Sequence, residues 1–158
     1  MHPIRTCLWF DGKAEEAAHF YVSLLPNSRI ESVNASPVDT PGNKAGEIIT
    51  VEFTLNGVAY LGLNGGSHYQ FTPAVSLIVP CDTQEEIDRL WSALSDGGTP
   101  VQCGWITDRY GLSWQITPRV LLAMIKDPDT AKAKRAMEAM FDMVKLDIAA
   151  LETAYHRS

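Results

Sequence analysis

No apolar run in this chain approaches the ~18 residues that a membrane-spanning helix needs, and no basic-then-apolar leader follows Met1. Neither a membrane span nor a secretion signal is therefore expected, and the default compartment is the cytoplasm. Cysteine is sparse and badly placed for cross-linking. Cys7, Cys81 and Cys103 are odd in number, lack any Cys-x-x-Cys spacing and lie within or beside apolar runs, which predicts reduced thiols rather than a disulfide framework. Positive charge is also short, with 13 Lys and Arg against 19 Asp and Glu and a net charge of −6. That balance removes the electrostatic motive for binding nucleic acid or an anionic membrane, so neither is expected as a partner. Composition excludes disordered and fibrous classes: 46% hydrophobic and 20% charged residues are ordinary for a globular chain. A length of 158 residues predicts one domain over 1–158.

What the chain does contain is a repeat. A short apolar run, an amphipathic helix and paired strands occur in residues 4–65 and again in 74–118. Ala14, Ala17, Phe20, Tyr21 and Leu24 form the inward stripe of the first helix; Ile87, Leu90, Trp91 and Leu94 form that of the second. Ala17 falls on Ile87, Tyr21 on Trp91 and Leu24 on Leu94 at one constant offset of 70 positions, which also carries Thr6 onto Ser76. Each half has a tight turn, Asn56-Gly57 and Asp108 to Gly111, and Asn-Gly suits the positive φ of a type I′ hairpin. The offset between these turns is 54, so the first half is longer by 16 residues, and the proline-bearing stretch Pro37 to Gly46 lies there. The prediction is an α+β fold of two tandem βαβββ modules, about 3–66 and about 74–118.

Strands are expected at residues 4–10, 28–36, 47–55, 58–63, 74–79, 101–107 and 112–117, with helices from Lys13 to Leu25 and, capped by Asp82, up to Gly97-Gly98. His19 falls on the outer face of the first helix, where a solvated residue is the simplest account. His68 sits in the linker between modules. Beyond the repeat lies a C-terminal helical extension, about 120–158: Val120 to Ile125, Asp127-Pro128-Asp129, then a long helix to about Tyr155. Met137, Phe141, Val144, Ile148, Leu151 and Tyr155 recur at alternating steps of four and three, an apolar stripe that suits packing on its own domain or on a partner chain.

One hairpin gathers most of the candidate chemistry. Cys103, Trp105, Trp114 and Gln115 lie on it, and alternation sets Cys103 and Trp105 on one face and Ser113 and Gln115 on a common face of the partner strand. Trp105 and Trp114 fit equally as core or interface aromatics, and Cys103 as an inert small hydrophobe. Glu52 alternates with Val51 and Phe53 on its strand and belongs either to the surface or to a pocket wall.

Trp9-Phe10-Asp11-Gly12-Lys13-Ala14-Glu15-Glu16, the Leu63-Asn64-Gly65-Gly66 turn and the run Cys103 to Ile116 together resemble the PhnB-like branch of the vicinal oxygen chelate superfamily. That superfamily includes glyoxalases, bleomycin resistance proteins and extradiol dioxygenases, and this branch is often labelled 3-demethylubiquinone 3-methyltransferase. The resemblance spans almost the whole chain, the Asp-Pro-Asp segment and final helix included. It implies that each module curls into half of a mixed-sheet cup and that the protein is a homodimer. It also implies metal-ligand positions at about Thr6, Leu61, Ser76 and Gln115. Leu cannot ligate, and two hydroxyls and an amide are weak ligands without a carboxylate, so no metal and no cofactor is expected. The expected function is a small-molecule-binding protein of the glyoxalase or bleomycin-resistance type without a competent metal site, the ligand unidentified. Its cup would be lined by Trp9, Tyr60, Glu52, Trp105, Trp114 and Gln115. The alternatives are a metal-independent isomerase, lyase or transferase-like enzyme using Gln115, Glu52 or Cys103 as catalytic groups, and a structural dimer without a ligand.

Overall fold

In the computed structural model, which describes residues 1–157, each half of the repeat builds one four-stranded mixed sheet with a helix packed on it. The first module runs β1 (Thr6–Phe10), α1 (Ala14–Leu24), β2 (Arg29–Ala35), β3 (Ile48–Leu55) and β4 (Val58–Asn64). The second runs β5 (Ser76–Cys81), α2 (Gln84–Ser95), β6 (Thr99–Pro100), β7 (Trp105–Thr107) and β8 (Ser113–Pro118). Strand orders are β1-β4-β3-β2 and β5-β8-β7-β6, and in each the first strand pairs in parallel with the last. The duplication legible in the sequence is thus a duplication of topology. Where length alone predicts one domain over 1–158, the chain divides into two compact units, one from Met1 to Phe71 and one from Thr72 onward. The C-terminal extension belongs to the second.

Small residues set how closely α1 approaches its sheet. Ala14, Ala17 and Ala18 are fully buried, and a methyl group at Gly62 of β4 would sit 3.3 Å from the Ala14 Cβ. Lys13 offers no side-chain cap, so the helix borrows one: the Asn64 side-chain oxygen accepts from Ala14 N at 2.9 Å, while its amide donates to Ile48 O at 2.9 Å. The Leu63-Asn64-Gly65-Gly66 turn is thereby tied to the helix start. The Asn56-Gly57 turn takes the predicted geometry, with φ of 46° and 82°. On α2 the cap is Thr83 rather than the expected Asp82, because Thr83 and Glu86 form a reciprocal capping box.

Two expectations fail together, for one reason. The strand predicted over 101–107 is interrupted, since Cys103 and Gly104 take left-handed backbone angles, φ 60° and 80°, and turn their amides away from the sheet. Cys103 N donates to Met143 O and Gly104 N to Val144 O, both at 2.8 Å. Those carbonyls lie in residues 142–147, where the single long C-terminal helix was expected to continue. The extension is instead three helices: α3 (Arg119–Met124), α4 (Thr130–Phe141) and α5 (Ile148–His156). Asp129 and Asp147 cap α4 and α5 by accepting from the backbone of their first turns. The Gln84 side chain at the start of α2 donates to Leu146 O at 3.1 Å and accepts from Ile148 N at 2.9 Å, so the break is held from both sides.

The apolar stripe does not survive the break. Leu146 and Leu151 bury completely with Ala136, Leu121 and Met124, whereas Met137, Phe141 and Val144 remain 39%, 59% and 44% exposed. The extension packs in cis on the second module, and the stripe is no continuous surface on which the homodimer expectation can rest. No helix among the described residues is long and apolar enough to cross a membrane.

The Gly104 contact yields a stability prediction. An added Cβ would lie 2.8 Å from Leu146 Cδ1 and 2.9 Å from Ile116 O in a left-handed conformation, whereas at Gly12, φ 72°, it would meet nothing within 4 Å. Gly104→Ala is expected to cost roughly 2–4 kcal/mol and Gly12→Ala only about 1–2 kcal/mol in urea unfolding, the difference measuring the packing against the extension.

Candidate ligand cavity on the second module

Strand register decides which candidates meet. Trp105 stands opposite Gln115, which in turn stands opposite Ile78, while Ile106, Trp114 and Leu77 occupy the alternate positions. Ile106 and Trp114 are buried on the side of α2, so Ile78, Trp105, Gln115 and Thr117 share the other face. Over that face lies a cavity of about 300 Å³, with Cys103 on its rim. Its opposite wall comes from the extension: Leu121, Leu122 and Ile125 at α3, Met140 and Phe141 at the end of α4, and Leu146. None of these six is among the site residues expected from the sequence, which places Leu121, Leu122 and Ile125 in a separate segment of the extension and Phe141 in the apolar stripe of one long helix. Asp147, a sound helix-capping residue, was the local signal that the helix restarts.

Gln115 contributes an amide to the sheet wall of the cavity. Its amide nitrogen donates to Ser76 Oγ at 2.8 Å, which fixes the side chain. Two of the four positions implied as metal ligands are therefore bonded to each other. The other two do not converge, because Thr6 lies opposite Tyr60 and Cys7 opposite Leu61, placing Thr6 and Leu61 on different faces of the first sheet. Among the described residues no group of three or more His, Cys, Asp or Glu is placed to hold a metal ion.

Of the other residues expected to line the site, Trp114 is turned to the opposite face of the second sheet and three belong to the first module. Trp114 is 1% exposed on the α2 side, its indole nitrogen donating to Asp108 Oδ2 at 2.9 Å, so it anchors the Asp108 to Gly111 turn instead of meeting a ligand. Asp108 also accepts from Tyr110 N and Leu112 N, which makes it the staple of that turn. Trp9, Tyr60 and Glu52 belong to the first module. Trp9 donates to Gly66 O at 2.8 Å and packs edge-on against Tyr69, and its ring lies so close to Gly65 that a methyl group there would fall 2.2 Å away. The ring clamps residues 65–69 and is not an open stacking surface. Tyr60 stacks on Phe53 at 5.6 Å on the α1 side of its sheet, and burial raises its phenol pKa. Glu52, on the opposite face, is ion-paired with Arg5 and accepts from Ser32 Oγ at 2.8 Å. Hydrogen bonds from Arg5 and then Ser32 lower its pKa, so it is a carboxylate committed to its neighbours. Among the cysteines, burial and the nearby Glu86 charge push Cys81 up to about 11, which leaves it an inert thiol. His19 is exposed, as expected.

The family model described as 3-demethylubiquinone-9 3-methyltransferase matches residues 2–117. Among solved structures, a Bacillus cereus PhnB protein bearing the same methyltransferase label is 39% identical, with a TM-score of 0.67 over 74% of this chain and 99% of its own. A Pseudomonas aeruginosa protein, 21% identical with a TM-score of 0.56 over 75% of this chain and 98% of its own, shares the fold. No curated protein matches. The family match stops at Thr117, short of the whole-chain resemblance expected, so α3, α4 and α5 lie outside it.

The Arg5 and Glu52 pair gives a pH prediction. Because the folded pKa of Glu52 lies below its ordinary 4.5, the pair stabilises the first module above that pH and the contribution is lost as pH falls through the folded value. Arg5→Leu should return the Glu52 carboxyl toward 4.5 in an NMR titration and shift the acid unfolding midpoint upward.

Proposed function

The chain belongs to the 3-demethylubiquinone-9 3-methyltransferase family, and on that premise we propose that it is a small-molecule-binding protein whose site is the cavity between the second sheet and the C-terminal helices. One observation carries this reading. An apolar cavity of about 300 Å³ contains an indole and one held amide, Gln115, which is the combination a specific small-molecule site requires. The volume sits at the lower end of the roughly 300–1,000 Å³ typical of such sites, so the ligand is small and largely apolar with one hydrogen-bonding group.

The chemistry named by the family label is not part of the proposal. A methyl donor such as adenosylmethionine is commonly held at a glycine-rich turn from a parallel strand into a helix. Gly65-Gly66 instead follow β4 and pack on Trp9, and Gly97-Gly98 end α2, where a side chain at Gly98 would fall 2.2 Å from Leu94 O. A divalent metal fits no better. Thr6 and Leu61 diverge, Leu61 has no donor atom, and the Ser76 and Gln115 pair offers a hydroxyl and an amide with no anionic ligand. The purified protein is expected to carry no stoichiometric zinc, nickel or iron, with a melting temperature indifferent to chelator; one equivalent surviving dialysis would contradict the proposal.

The cavity itself is tested by a thermal-shift screen of small aromatic and aliphatic amides, alcohols and ketones. Binders should change tryptophan emission through Trp105. Gln115→Ala should weaken them by about 0.5–1.5 kcal/mol, the net value of one hydrogen bond, without altering the fold. Ile78→Trp, which fills the cavity from an exposed strand position, should abolish binding. Binders indifferent to both substitutions would place the site elsewhere.

A further inference from the structure

The cavity has a neighbour. A second apolar groove, of about 310 Å³, runs along the outer side of α4 past Ala133 and Met137, and Ile125 and Phe141 line both spaces. These two side chains come from different helices, Ile125 from the C-cap of α3 and Phe141 from the last position of α4. Phe141 is 59% exposed and lines both spaces, so its ring stands at a surface and is not a core residue locked by neighbours.

Resting on the cavity reading above, we propose that Phe141 is the length-selecting residue of the site. The ligand is an apolar chain with a single amide-complementary head group, its head on Gln115 and its tail directed at Phe141, beyond which the α4 groove begins. The occupant follows from the lining. The polar groups on the sheet wall are the amide held by Ser76 and Thr117, while Ile125, Met140 and Phe141 line the far side, beyond which the groove adds Met137 and the mutually paired Lys134 and Glu138. A flexible aliphatic tail fits this arrangement better than a second polar group, which would find no partner among Ile125, Met140 and Phe141. Phe141 and all the other residues of the groove lie beyond Thr117, where the family match ends, so the selection of chain length belongs to the extension and not to the two repeated modules.

Primary n-alkyl carboxamides of increasing chain length are the probe, since their head group is complementary to Gln115. In the unmodified full-length chain, affinity should rise about fourfold per methylene while the tail is still being buried. It should then stop rising at the length that reaches Phe141. Phe141→Ala should shift that limit to longer chains, with the fourfold increments continuing for a few more methylenes, and Phe141→Trp should shift it to shorter ones. Gln115→Ala should weaken every member of the series by a similar factor and leave the limit where it was. Circular dichroism and melting curves of the two Phe141 variants check that the fold is retained. Binding whose length limit is the same in all three forms would overturn the role of Phe141 and leave the cavity reading standing. Absence of binding at every length in the unmodified protein would overturn both.

Discussion

Two backbone hydrogen bonds, from Cys103 N to Met143 O and from Gly104 N to Val144 O, are the constraint from which the second unit's distinctive features follow. To make them, the chain must enter the left-handed region at two successive residues, one of them not glycine, at an energetic cost that only surrounding contacts offset. The compensation is visible. Leu146 buries completely against Gly104, the Gln84 side chain satisfies both ends of the turn before α5, and Lys145 pairs with Asp88 of α2 at 2.6 Å. That exposed ion pair adds little by itself. Its value is in direction, since it ties the same short turn to the same helix.

The seam also creates the site. Without residues 142–147 held against the turn at Cys103 and Gly104, the face of the second sheet that carries Ile78, Trp105 and Gln115 would be an open surface. With them, α3 and the end of α4 wall it into a cavity. The first module has no such extension, and its corresponding face is occupied by polar pairing: Arg5 with Glu52, Glu52 with Ser32, and Asn34 with Ser32 and Thr50. Two halves of one repeat have thus diverged in what they do with equivalent sheet faces, one covering its face with polar pairing and the other walling it off beneath the C-terminal helices.

The metal-ligand positions follow the same divergence. In the second module Ser76 and Gln115 are brought together and bond to each other, whereas in the first the aligned positions Thr6 and Leu61 fall on opposite faces because Thr6 pairs with Tyr60. The helix-based alignment of Thr6 with Ser76 is one residue out of step with the strand pairing, since Leu61 shares the face away from α1 with Glu52 just as Gln115 shares the face away from α2 with Trp105. A single-residue slip exchanges the two faces of a strand, so position in a repeat does not by itself say which side of a sheet a residue occupies.

What the sequence determined alone is whatever depends on local periodicity and turn chemistry. The two helices, the Asn56-Gly57 hairpin, the βαβββ order and its duplication were all legible, because a helix stripe and a positive-φ turn are written in neighbouring residues. The grouping of Cys103, Trp105 and Gln115 was legible for the same reason, since a hairpin is a local object. Only the tertiary structure decided that Trp114 turns away to Asp108, that Trp9 closes over Gly65, and that the final helix breaks at Asp142 to Asp147. The stripe from Met137 to Tyr155 satisfied a helical period throughout, so nothing in its spacing opposed one continuous helix. The break is imposed from 40 residues away by two backbone donors that the left-handed turn at Cys103 and Gly104 had left without partners in their own sheet, and a buried donor must be satisfied wherever an acceptor can be brought to it.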